Sequence, residues 1–209
     1  VVRFDGQDDW LALARNVVTS AQYTIIAVVS DAASGGPRNL IGNWDDSKGN
    51  STSSIFLGTV GGDSAGRNVR FTDDYAMDAS DEALEKPLEH FVLTAISESY
   101  DARVFQNARL LGAQGAAIAG RKFDTAWTVG RQGTLDGEYW DGDVAEILVY
   151  AAVLNETVRR QVWQYLGEKY ELSGLELISK PVGPDDAHRL ALIQACRVIF
   201  NLNEFVYAD

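Results

Sequence analysis

Short apolar runs, parted by polar and glycine-rich gaps, dominate this chain up to about residue 150 and read as a succession of strands. Residues 1–4 (VVRF) and 10–14 (WLALA) flank the turn DGQDD and predict two short strands. The β-branched run 23–30 (YTIIAVVS) suits a central strand. Residues 31–39 read as a loop, 40–44 and 53–60 as strands, and 61–68 as a glycine-rich turn into a strand at 69–71. Residues 72–88 are acidic and unpatterned, which predicts a surface loop. Residues 90–99 and 101–105 predict two strands of a meander, followed by strand signals at 107–110 and 125–130. This spacing is the one expected of a β-sandwich.

A turn and a strong strand follow at 139–150 (YWDGDVAEILVY), and then the period changes. Val158, Val162, Tyr165, Leu166 and Lys169–Tyr170 fall on one helical face, which predicts a helix to about Tyr170. Asn155 is placed to cap it, with Glu156 favourable in the first turn. Residues 173–186, with Pro181 and Pro184, read as a linker. A second helix is predicted at about 187–201. Leu190, Leu192, Ile193, Cys196, Ile199 and Phe200 cover more than one of its faces, so it must pack on the sandwich or on another polypeptide. The expected organisation is therefore an all-β sandwich over 1–172, a linker over 173–186, and a helical tail over 187–209.

Composition narrows the partners. A length of 209 residues with 46% apolar content supports one sizeable domain plus an appendage. A net charge of −12 argues against nucleic acid and against anionic lipid, and is compatible with calcium or neutral glycans. The one cysteine, Cys196, rules out an internal disulfide and leaves the compartment open. No apolar run is long enough to span a membrane, so membrane insertion is not expected. No signal peptide opens the chain, and Val1 lies inside a strand-like run. The expectation is a fragment or processed product whose natural start lies upstream.

Three stretches, 1–13 (VVRFDGQDDWLAL), 126–133 (AWTVGRQG) and 139–172 (YWDGDVAEILVYAAVLNETVRRQVWQYLGEKYEL), resemble the laminin-G-like, concanavalin A-like lectin/glucanase superfamily. The version they are most similar to is attached to large exported proteins of planctomycete bacteria. The resemblance implies a two-sheet antiparallel jelly roll closed by a C-terminal helix, in agreement with the strand count. It also implies an exported setting: periplasm, cell surface or outside the cell. The tail 190–209 (LALIQACRVIFNLNEFVYAD) resembles the end of a planctomycete domain found beside cytochrome c-like modules, carried by Asn203-Glu204-Phe205 and Tyr207. No Cys-x-x-Cys-His is present, so no covalently attached haem is expected.

The resemblance further implies a calcium ion where the first strand meets the late one, at Asp5, Gly6 and Asp143 with Asp141 nearby. Ordinary turn chemistry of Asp-Gly pairs accounts for the same residues. Glu146, inside an apolar strand, shares a face with Val144, Leu148 and Tyr150 if alternation holds. Burial would demand a partner such as Arg131 or an indole N–H, and a structural role is preferred. Sugars bind on aromatic platforms with polar neighbours, and Trp44, Tyr75, Arg131, Tyr139 and Trp140 are the candidates, with Asn43 and Asp45 beside them. Trp10 and Trp127 are assigned to the core. The paired carboxylates of a glycosidase are missing, because the nearest cluster (Glu138, Asp141, Asp143) lies at a turn with the wrong spacing. The expected role is a non-catalytic binding or adhesion module with carbohydrate as the leading ligand class. The alternatives are a structural domain that assembles with a protein partner through 187–207, and, last, a glycan-degrading enzyme.

Overall fold

The computed structural model describes residues 1–45, 55–62, 66–71, 77–98, 101–115, 125–173, 175 and the backbone of 198–199. Two antiparallel sheets face each other. One holds β1 (Val2–Asp5), β11 (Asp141–Tyr150), β3 (Gln22–Val29), β7 (Phe91–Glu98), β8 (Asp101–Gln106) and β9 (Arg109–Gly115) in that order. The other holds β2 (Leu11–Ala12), β10 (Thr128–Val129), β4 (Arg38–Gly42), β5 (Phe56–Gly61) and β6 (Arg67–Phe71). The fold is a jelly-roll sandwich closed by the helix α1 (Glu156–Tyr170), as expected. The first strand lies beside the late strand, Val2 opposite Val144 and Asp5 opposite Asp141.

The apolar runs of β3 and β7 are continuous because both faces of these strands are covered. Tyr23, Ile25, Ala27, Val29, Phe91, Leu93 and Ala95 fill the space between the sheets. Ile26, Val28, Val92 and Ile96 meet Val158, Val162, Trp163 and Leu166 of α1 on the outer side. A strand buried on two faces loses the alternating pattern of a one-sided strand. Asn155 caps α1 by accepting the Val158 N–H at 3.0 Å, as its position predicts. Trp163 takes the place expected of Tyr165. It is buried and donates Nε1–H to the buried Thr94 hydroxyl at 2.9 Å, while Tyr165 stays 50% exposed.

Two further expectations change. The segment 77–88 is not merely surface: Met77 bridges to Phe71, Ala83 bridges to Asn68, and Met77 and Leu84 are buried in the core. At Val198–Ile199, where a helix was predicted, the backbone forms a short strand, β12, antiparallel to Val149 and Leu148 of β11. β3 occupies one edge of β11 over this stretch, and β1 leaves the other edge after Val144. The free edge offers unpaired backbone groups, and two β-branched residues suit it. The rest of the 187–209 tail lies outside the described residues. Among the described residues no helix is long and apolar enough to cross a membrane.

Candidate functional site

A sandwich has two outer faces, and α1 covers that of the larger sheet. The outer face of the five-stranded sheet is built differently. Phe56 is buried yet stands apart from the core between the sheets, and its ring lies 4.6 Å under the Arg70 guanidinium. Gly42 leaves room there for Asn39 and Phe56: a Cβ at Gly42 would come within 2.8 Å of Asn39 Nδ2 and 3.1 Å of Phe56 Cβ.

After β10 the chain loops over this side of the sheet and returns to the edge of β4. Asn39 N–H donates to Glu138 O at 2.7 Å, Tyr139 bridges Asn39, and Trp140 N–H donates to Gly130 O at 2.8 Å to close the loop. Inside the loop, the Thr128 hydroxyl donates to Arg131 O at 2.6 Å and accepts from Gly133 N–H at 2.8 Å. Asn39 Nδ2 also donates to Arg131 O, at 2.8 Å. Thr134 N–H reaches Trp44 O at 2.9 Å, and Gly133 (φ +59°) sits so close that a Cβ would lie 2.0 Å from that oxygen. Only glycine fits there.

Three of the predicted ligand residues, Trp44, Arg131 and Tyr139, therefore belong to one hydrogen-bonded loop, all of them half-buried. Tyr139 O–H donates to Asp136 at 2.8 Å, and Arg70 reaches both Glu138 oxygens at 3.3 Å. Trp140 is a correction, because it is fully buried in the core. Successive side chains of an extended chain point to opposite faces, so an outward Tyr139 puts Trp140 inside. Trp10, assigned to the core, is instead half-buried beneath the Arg131 guanidinium, 3.7 Å away. Asn43 is fully buried and accepts Ile55 N–H at 2.6 Å, a structural role. Tyr75 lies outside the described residues. Asn39, Arg70 and Trp10 were missed. A GRQG segment after a strand hinted at the loop, but nothing local marks which distant side chains meet it.

The acids sort themselves differently from the predicted calcium set. Arg3 donates Nε–H and an NH2 hydrogen to the two Asp143 oxygens at 2.7 and 2.8 Å, and His90 Nε2 lies 3.7 Å away. The Arg3 hydrogen bonds hold the Asp143 carboxyl below the usual range against the opposing effect of burial, and attraction to Arg3 adds to them. Gly6 O faces Arg38 NH1 at 3.5 Å. Asp5 sits with Asp8 and Asp9, the three exposed carboxylates within 4.8 Å of one another. Asp141 lies opposite Asp5 and packs against Gly6, while Asp143 is taken up by Arg3, so the predicted set divides between an acidic corner at Asp5 and an ion pair at Asp143.

Glu146 shares the helix-facing side with Leu148 and Tyr150 as expected, but Val144 leaves that face and the partner differs. A bulge between Val144 and Glu146 breaks the alternation, so Val144 joins the core while Glu146 turns to the helix. Its Oε2 accepts from Lys169 Nζ at 2.9 Å and from Tyr170 O–H at 3.0 Å, not from Arg131. Burial alone would lower the Lys169 ammonium, but hydrogen bonds to Glu146 and Tyr165 outweigh it and raise the group. Burial, followed by Glu146, pushes the Tyr170 hydroxyl up. A bulge that re-aims one side chain in this way ties the last turn of α1 to the sheet.

No family model matches this chain, and no curated protein matches it. Solved structures do resemble it. Domain 4 of AbnA, an extracellular GH43 arabinanase from Geobacillus stearothermophilus, in complex with arabinotriose, is 13% identical with a TM-score of 0.56, over 74% of this chain and 72% of that one. The heptameric SAP-like pentraxin of Limulus polyphemus is 10% identical with a TM-score of 0.54, over 99% and 90%. The CBM40 of the Ruminococcus gnavus IT-sialidase, bound to α2,3-sialyllactose, is 14% identical with a TM-score of 0.54, over 75% and 92%. At these identities the similarity is one of fold.

Proposed function

We propose that this chain is a non-catalytic carbohydrate-binding module, working within a larger exported bacterial protein such as the planctomycete type its closing motif resembles. The observation that carries the reading is the braced loop from Gly130 to Trp140, which holds Trp44, Arg131 and Tyr139 on the side of the sandwich that α1 does not cover. Aromatic faces with adjacent planar hydrogen-bonding groups suit sugar rings, and a loop rigid before binding loses little entropy on binding. The arabinotriose and sialyllactose complexes of structures sharing this fold support the same ligand class.

The non-catalytic part rests on the carboxylates. Glu138 is paired with Arg70, Asp143 with Arg3 and Glu146 with Lys169. A glycosidase needs two carboxylates facing the scissile bond, one as acid and one as base or nucleophile, and these three each face a cation instead. A glycan array in calcium, repeated in chelator, tests the reading. Specific binding that weakens in Trp44→Ala or Tyr139→Ala supports it. Binding lost in chelator would bring calcium into recognition through Asp5 and its neighbours, and a blank array in both conditions would sink the carbohydrate reading.

A further inference from the structure

Among the described arginines, Arg15, Arg38, Arg131 and Arg159 meet no carboxylate, and of these Arg131 combines an accessible position with bracing by both an aromatic ring and a hydrogen bond. Arg3, Arg67, Arg70, Arg103, Arg109 and Arg160 each meet a carboxylate within 4 Å. Arg159 is buried against Phe105 and Trp163 and gives NH1 to Leu154 O at 2.7 Å, so it is closed off. Arg131 is half-exposed, and among the described residues no carboxylate pairs with it. Its surroundings nevertheless hold it in place. Trp10 supports the guanidinium at 3.7 Å, and Nε–H donates to Gly133 O at 2.8 Å. Its backbone carbonyl is held by both Asn39 and Thr128.

The acids closest in sequence have other partners: Asp136 accepts Tyr139 O–H, and Glu138 faces Arg70. With Nε engaged, the NH1 and NH2 ends form a fork that meets no acceptor among the described residues. A planar fork already oriented by a stack and a hydrogen bond matches the two oxygens of a carboxylate. The indole beneath it restricts the side chain before the ligand arrives.

We propose that Arg131 recognises the carboxylate of an acidic sugar, a uronic or sialic acid residue, on the loop-covered face. This rests on the carbohydrate-binding reading and specifies its ligand class. The net charge of −12 repels a densely charged chain, so the ligand presents an isolated carboxylate rather than a polysulfate.

The test is an array carrying galacturonides, glucuronides and sialosides, each beside its methyl ester, together with neutral glycans, probed with the full chain and with Arg131→Lys and Arg131→Ala. The ester keeps the shape and removes the charge. The acid forms should bind about tenfold or more tightly than their esters. Arg131→Ala should erase that preference, so that acid and ester forms bind alike, and a cooperative melt of the variant shows that it is folded. Arg131→Lys should retain part of it, because it keeps the charge and loses the fork. Equal binding of acid and ester, or a preference that survives Arg131→Ala, overturns this inference and leaves the carbohydrate reading standing. Silence on every glycan, neutral ones included, overturns both.

Discussion

Asp143 shows how one side chain couples pH to stability. Its carboxylate is largely shielded, with both oxygens engaged by Arg3. Folding depresses this carboxyl, chiefly through those hydrogen bonds. The pair's contribution is therefore complete above the ordinary carboxylate value of about 4, and fades as the pH falls through the lower folded value. Wild type should exceed Asp143→Asn in stability at pH 7, and the gap should close in acid. Urea melts at pH 7 and pH 3 check this, and a gap that is constant or widens in acid contradicts it. The aspartate was legible in the chain as a polar break at the head of a strand. Its partner was not, because Arg3 is 140 positions away.

At the level of elements, α1 draws its stability from what it covers. Its cap at Asn155 and its boundaries follow from local chemistry and were legible in the sequence. Which aromatic points inward was not, since Trp163 and Tyr165 both lie near the margin of the apolar stripe. Trp163 packs 5.7 Å from the Phe105 ring and is tied to Thr94. Trp163→Ala should cost about 3–5 kcal/mol in denaturant melts, against at most about 0.5 kcal/mol for the half-exposed Tyr165→Ala. Comparable losses for the two would place the helix in a different rotation. The bulge in β11 carries the same lesson: strict alternation placed Glu146 beside Val144, and one extra residue sends Val144 to the core while Glu146 meets Lys169.

At the scale of the whole molecule, the sandwich is closed by partners from opposite ends of the chain. β1 pairs with β11, and Phe4 reaches the core with 2% of its surface exposed. Removing residues 1–5 should empty that site, at a cost of about 3–5 kcal/mol, and unpair the leading half of β11. That is a large part of the 5–15 kcal/mol typical of a domain. A sharply lowered melting temperature with self-association through the open edge is expected in calorimetry and size-exclusion chromatography. A truncated chain that stays monomeric and melts near the intact one would contradict this role for β1. The sequence by itself determined the succession of strands, the sandwich class and the capped closing helix. Those depend on period, turn residues and caps, which act over a few neighbouring positions. Only the tertiary structure decided that Trp140 is core and Trp10 a platform, that Arg3 meets Asp143, and that Arg131 meets no carboxylate among the described residues. Each of these is a contact between residues far apart in the chain, and so depends on how the sheets, loop and helix come together.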